Sequence, residues 1–212
     1  MENLINYLLE IEGESGEYDI ASKLRDFVHH NEGYVYDSGV SRACIYHKDW
    51  DFVFKFDKHP TQSAYCALES YHYAQAEGYG VQKVLLPISK FATLDNGIKI
   101  YRQTKYSYSW RNLPPQEYHK LLQAKNQLQG KKAFNKIARG MRHETDILWR
   151  ARVTQLYGKN FMRSLQEWME EYHINDLHID NIGMYQGRPI LLDYAGYNGN
   201  SYLPSQEILA IY

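Results

Sequence analysis

The chain has 212 residues, enough for one large domain or two small lobes with a real core and no need of disulfide staples. Hydrophobic residues at 44% and charged residues at 23% exclude a disordered or fibrous chain. Lys plus Arg (24) against Asp plus Glu (25) leave a formal charge of -1, which gives no general field for nucleic acid or an anionic membrane, so any basic surface must be local.

Residues 1–30 are predicted as two short helices, because Leu4, Ile5, Leu8 and Leu9, then Ile20, Leu24, Phe27 and Val28, recur at helical spacing around a GESGE break. From Tyr34 the pattern changes to aromatic and β-branched runs separated by SGVS and HKDWD, which predicts three antiparallel strands. HPTQSAYCALESYHYAQAEGYG then reads as a helix with Pro60 near its start, Tyr65, Glu69 and Tyr73 four apart, and Gly78 and Gly80 at its end. VQKVLLPISKF and IKIYRQTKY flank LDNG as a further hairpin. After SYSWRNLPPQEY, helices are expected over about 116–128, 132–142, 144–157 and 160–172; the last carries Phe161, Leu165, Trp168, Met169 and Tyr172 on one apolar stripe. The loop INDLHIDNIG follows, then a hairpin of GMY and PILL around YQGR, then a short tail. The pattern shows no internal repeat, and the natural boundary falls near 104–113.

Cys44 and Cys66, the only cysteines, have neither paired spacing nor a His-rich companion motif, so a reducing compartment, the cytoplasm, is expected rather than a disulfide scaffold. No stretch approaches the roughly 20 apolar residues of a membrane span, and the acidic start lacks the basic region of a signal peptide. Tyrosine alone supplies 20 residues, suited to half-buried surfaces or a partner interface. Charge is unevenly spread. Seven basic residues and no acid lie between Tyr118 and His143 (Lys120, Lys125, Lys131, Lys132, Lys136, Arg139, Arg142), whereas residues 164–212 hold seven acids against Arg188 alone. The basic stretch is either a solvated helical face or a docking surface for an acidic partner or nucleic acid, and of these a protein substrate or partner is expected and nucleic acid is not.

The segment DLHIDNIGMYQGRPILLDYAG carries the chemistry. Asp176, Asn181 five residues later and Asp193 after the apolar run PILL combine a loop carboxylate able to orient or deprotonate a hydroxyl with an amide and a second carboxylate able to hold a hard divalent cation. On these residues the sequence resembles the protein-kinase-like superfamily over about 34–197. DLHxxNIG followed by a hydrophobic strand and Asp is also similar to aminoglycoside and choline phosphotransferases, and the overall pattern resembles the short serine/threonine kinases of lytic bacteriophages. The resemblance implies an α+β, protein-kinase-like bilobal fold. A helical extension would cover 1–33, a β-rich nucleotide-binding lobe 34–107, and a reduced, mainly helical lobe 108–212, the two lobes sharing a cleft.

The same resemblance implies ATP and Mg2+ as cofactors and assigns parts upstream. Lys55 in DFVFKFD would pair the α- and β-phosphates, Val53 would roof the adenine, and Glu69 would orient Lys55, with Glu77 as rival. Backbone amides of Gly39, Val40 and Ser41 would approach phosphate from YDSGVSRACIY, which holds Gly39 where kinases carry three glycines. INDLH replaces the family's HRD or HGD, so regulation through a phosphorylated activation segment is not expected. DYAG replaces DFG, with Tyr194 in the Phe position. Only 19 residues follow Asp193, so the helices between 116 and 157 are expected to stand in for the peptide-binding subdomain. The implied function is an ATP/Mg-dependent phosphotransferase, an atypical protein kinase acting on Ser, Thr or Tyr. The alternatives are a small-molecule kinase of the aminoglycoside type and a catalytically silent binding or inhibitory module. A competing metal centre would draw on His173, Asp176, His178 and Asp180, with His143 as a further ligand. No GxSxG, Walker A or GxGxxG motif is present, which leaves hydrolase, P-loop and dinucleotide readings without support.

Overall fold

Strict alternation in DFVFKFD gives a strand two chemically different faces, Phe52, Phe54 and Phe56 on one and Val53, Lys55 and Asp57 on the other. A sheet built around it must cover the first face with apolar helices. The computed structural model describes residues 1–11, 20–39, 41–58, 64–128, 144–174, 179–196 and 204–212. It is a mixed α+β structure, and the chain divides into two compact units, Met1–Tyr71 with Pro87–Lys105 and Leu203–Tyr212, and His72–Leu86 with Tyr106–Tyr202. Each unit is therefore assembled from separate stretches, and the chain passes between them more than once.

The first unit is organised by a five-stranded antiparallel sheet. Its strands are β1 (Tyr34–Ser38), β2 (Arg42–His47), β3 (Phe52–Asp57), β4 (Ile88–Thr93) and β5 (Lys99–Thr104), in the order β1-β2-β3-β5-β4. Register pairs Ala43 with Phe56 and Ile45 with Phe54, so the apolar residues of β2 and β3 share a face. Helices α1 (Glu2–Leu9) and α2 (Ile20–His30) close that face with Leu4, Leu8, Leu24 and Phe27, all buried in one core with Phe52, Phe54, Phe56, Ile98 and Ile100. Helices α1 and α2 are thus the cover of the sheet's core. On the opposite face stand Arg42, Cys44, Lys55, Asp57, Tyr101 and Gln103, where the start of α3 (Tyr65–Gln75) docks through Cys66 and Glu69. The short helix α6 (Gln206–Ile211) belongs to this unit. Ser205 caps it by accepting from the Ile208 N–H, and the Ala210 carbonyl accepts from Lys90.

In the second unit α4 (Pro115–Leu128) packs Ala124 and Leu128 against Ile147 and Ala151 of α5 (Glu144–Glu171). Trp149 and Trp168 on α5 are fully buried. Gly158 interrupts α5 with φ 86 and ψ 172, a conformation open to glycine and not to residues with a side chain. The two helices expected over 144–157 and 160–172 are therefore real but continuous apart from this break. A three-stranded antiparallel sheet combines β6 (Tyr108–Ser109), β7 (Ile182–Tyr185) and β8 (Arg188–Leu191) in that order. Gly183 on β7 is required by close approach, since a Cβ there would lie 2.7 Å from the Tyr108 carbonyl oxygen.

Some expectations need correction. The helix drawn from Pro60 begins only at Tyr65, and Pro60 lies outside the described residues, as does the helix expected over 132–142. Strand β6 and helix α6 were not expected from the sequence pattern. Among the described residues no helix is long and apolar enough to cross a membrane.

Candidate functional site

Two groups of side chains account for the described candidate residues, one in each unit. In the first, β3 places Lys55 on the polar face of the sheet and α3 lays Glu69 over it. Lys55 Nζ donates to Glu69 Oε2 at 2.7 Å. The glutamate has no solvent exposure, and the Lys55 side chain retains 11%. Glu77 lies beyond the end of α3 in a backbone turn, so the carboxylate that meets Lys55 is Glu69.

Glu69 has two further partners that inspection of the sequence did not single out. Arg42 Nη1, from β2, donates to the same Oε2 at 2.7 Å, and Gln103 Nε2, from β5, donates to Oε1 at 3.2 Å. Both of these follow from strand register, which sets Arg42 opposite Asp57 and Gln103 opposite Val53. Asp57 was also missed, although it stands two residues past Lys55 on the same face. It caps α3 by accepting the Cys66 N–H with Oδ1 at 3.1 Å and Oδ2 at 3.3 Å. Burial pushes its carboxyl up to about 6, against the opposing pull of the Cys66 N–H and of the Arg42 and Lys55 charges. Burial likewise raises the Cys44 thiol to about 11 and drives the Cys66 thiol well above its ordinary value. Neither cysteine is a ready thiolate nucleophile.

The turn between β1 and β2 is tied to itself. Gly39 N–H donates to the Arg42 carbonyl at 3.0 Å, Lys58 Nζ donates to the Gly39 carbonyl at 2.6 Å, and Lys58 N–H donates to the Ser41 carbonyl at 3.0 Å. The Gly39 amide is thus engaged within the turn. Val40 lies outside the described residues. Val53 is half-buried on the Lys55 face.

In the second unit, Leu192 N–H donates to the Asn181 carbonyl at 2.9 Å, adding a rung to the β7–β8 ladder beyond Ile182 and Leu191. That rung sets Asn181 opposite Leu192, and Asp193 follows directly at the open end of the hairpin. Asn181 is buried to 9% exposure, and Asp193 Oδ1 accepts the Ala195 N–H at 3.4 Å. Tyr194 is fully buried and held at both ends. Its hydroxyl donates to the Leu86 carbonyl, and its own carbonyl accepts from His72 Nδ1 at 2.9 Å, which fixes the proton on that ring nitrogen. At Gly196, φ is +82 and a Cβ would come within 3.2 Å of the Tyr172 carbonyl oxygen, so the residue after DYA has to be glycine. Arg111 grips Asp180, immediately before Asn181, in a bidentate pair whose Nη2–Oδ2 distance is 2.8 Å.

Asp176 and His178 lie outside the described residues. Among the described residues no group of three or more His, Cys, Asp or Glu gathers to hold a metal ion. Asn181 and Asp193 offer an amide oxygen and a carboxylate, hard donors suited to magnesium, an ion that takes few protein ligands and completes its shell with water and phosphate. A lysine ammonium fixed by a buried carboxylate is, for its part, a preset point charge suited to phosphate. On the basic helical stretch, Lys120 pairs with Glu117 at 2.6 Å and Lys125 with Glu144 at 3.0 Å, so acids just outside the run neutralise its first two charges. Lys131, Lys132, Lys136, Arg139 and Arg142 fall outside the described residues.

Comparison with known proteins gives no match: no family model, no curated protein and no solved structure matches the chain.

Proposed function

We propose that the protein is an ATP- and magnesium-dependent phosphotransferase of protein-kinase-like fold that phosphorylates Ser, Thr or Tyr hydroxyls of a protein, itself included. The observation that carries this reading is the buried ion pair of Lys55 with Glu69, a strand lysine and a mid-helix glutamate 14 residues apart. Lys55 positions the α- and β-phosphates, and Glu69 fixes the ammonium. Asn181 and Asp193 hold magnesium, which neutralises charge on the phosphates when bound. Asp176 orients the acceptor hydroxyl and takes its proton as the oxygen bonds to the γ-phosphorus and the bond to the β-phosphate oxygen breaks, releasing ADP. Positioning and charge neutralisation supply most of the acceleration.

Labelled ATP and magnesium, incubated with the purified protein with and without a cell lysate as acceptor, test the proposal beside Asp176→Asn and Asp193→Asn. Transfer by the parent chain and its loss in both variants are expected. Absence of label, or label that persists in both variants, rejects catalysis by these residues. A second reading, a catalytically silent nucleotide-binding module, draws support from the β1–β2 turn, whose Gly39 amide is already hydrogen-bonded. It predicts thermal stabilisation by nucleotide without transfer.

A further inference from the structure

We infer that Arg42 and Gln103 are positioning residues that lock the Glu69 carboxylate to the sheet and so preset the Lys55 ammonium before any nucleotide arrives. The catalytic meaning of this inference rests on the phosphotransferase reading. A single Lys–Glu contact fixes one distance and leaves the carboxylate free to turn about its last torsion, which is broad and shallow. Here Oε2 receives two donors, Lys55 Nζ and Arg42 Nη1, both at 2.7 Å, and Oε1 receives Gln103 Nε2 at 3.2 Å. These donors come from three different strands, β2, β3 and β5. Together they define the position and plane of the group, and Gln103 on the second oxygen opposes its rotation.

Burial gives the arrangement its force. Glu69 has no exposure, Gln103 has 4%, and the Arg42 and Lys55 side chains have 14% and 11%, so water cannot readily replace a lost donor. The glutamate is carried by α3 but registered by the sheet. Lys55 therefore holds its geometry without a separate closing movement of the helix.

Two variants of the full-length protein, Arg42→Gln and Gln103→Leu, test this with a readout that needs no nucleotide. Acylation of Lys55 by an amine-reactive reagent is followed by mass spectrometry, with the exposed Lys99 and Lys120 as internal references for reagent reactivity and alkylation of the buried Cys66 thiol as the report of general unfolding. Both variants should raise Lys55 labelling relative to the references by roughly tenfold to a hundredfold, the range set by loss of one charge-assisted hydrogen bond. Arg42→Lys, which keeps a cation on Oε2, should restore most of the protection. If Arg42 merely competes with Lys55 for Oε2, its removal tightens the remaining pair and labelling falls. Unchanged or lower labelling in either variant overturns the inference.

In the transfer assay the same variants should lower kcat by a similar factor while the KM for ATP stays within about twofold, the pattern of lost geometry rather than lost binding. A raised KM with unchanged kcat in Arg42→Gln would make Arg42 a direct phosphate ligand and would also overturn it. Failure of the parent chain to transfer phosphate refutes the proposed function alone, because Lys55 labelling still reads the clamp.

Discussion

Glu69 brings a full negative charge into a site with no solvent exposure, and its three donors are what make that tolerable. Glu69→Gln keeps the shape but removes the charge that Lys55 and Arg42 share. A loss of about 3 kcal/mol of unfolding free energy is expected, read as a lower denaturant midpoint at unchanged slope. Asp57 behaves oppositely. Its carboxyl, raised by burial from an ordinary 3.8 to about 6, keeps a proton in the folded protein that the unfolded chain has already released across that window. Its contribution to stability therefore falls as pH rises from 3.8 to about 6, and above that the ionised, buried form is a standing cost. Asp57→Asn, which can still accept the Cys66 N–H, should gain stability over the parent chain as pH rises through this window. A gain on the order of 1–3 kcal/mol by pH 7, with near equality at pH 3.5, would show it in parallel melts.

Among the helices and strands, two glycines make contrasting predictions. Gly158 breaks α5 at φ +86 with open space where a Cβ would be, so Gly158→Ala meets only a backbone penalty. It should destabilise by about 1–3 kcal/mol in a denaturant titration without clash elsewhere. Gly39 has neither positive φ nor any atom near a Cβ position, so Gly39→Ala should leave stability unchanged or raise it by about 0.4–1 kcal/mol in the same titration. Which elements could be read from the sequence follows from the range of the forces involved. Phe52, Phe54 and Phe56 alternate at period two, and Leu4, Leu8, Leu24 and Phe27 repeat at helical spacing, so these elements announce themselves locally. Strand β6 is two residues long and exists only through its pairing with Met184 and Gly183, which no local pattern encodes. The Lys55–Glu69 pair was legible only through the resemblance to the kinase-like pattern, because a strand lysine and a helix glutamate each read, taken alone, as ordinary surface charges. Gln103 was not, because it reads as an ordinary strand polar residue until the β3–β5 register sets it beside Glu69.

Taken across all 212 residues, the near-zero net charge hides local compensation rather than uniform neutrality, as Lys120 with Glu117 and Lys125 with Glu144 show. The mixed α+β architecture shares the same economy, since each unit completes itself with distant pieces of chain. Residues 204–212 illustrate this through Leu209, which is 3% exposed, and through the contact of the Tyr212 ring with Tyr71 at 5.4 Å. Leu209→Ala should lower the stability of the first unit by about 2 kcal/mol, seen as faster amide exchange in β4, where Lys90 meets the Ala210 carbonyl. A ribosome releases residues 204–212 only after it has delivered all of the second unit. The first unit, with the sheet that carries Lys55, must therefore wait, unfinished, through the synthesis of its neighbour, and the two units mature as nested rather than successive products of translation.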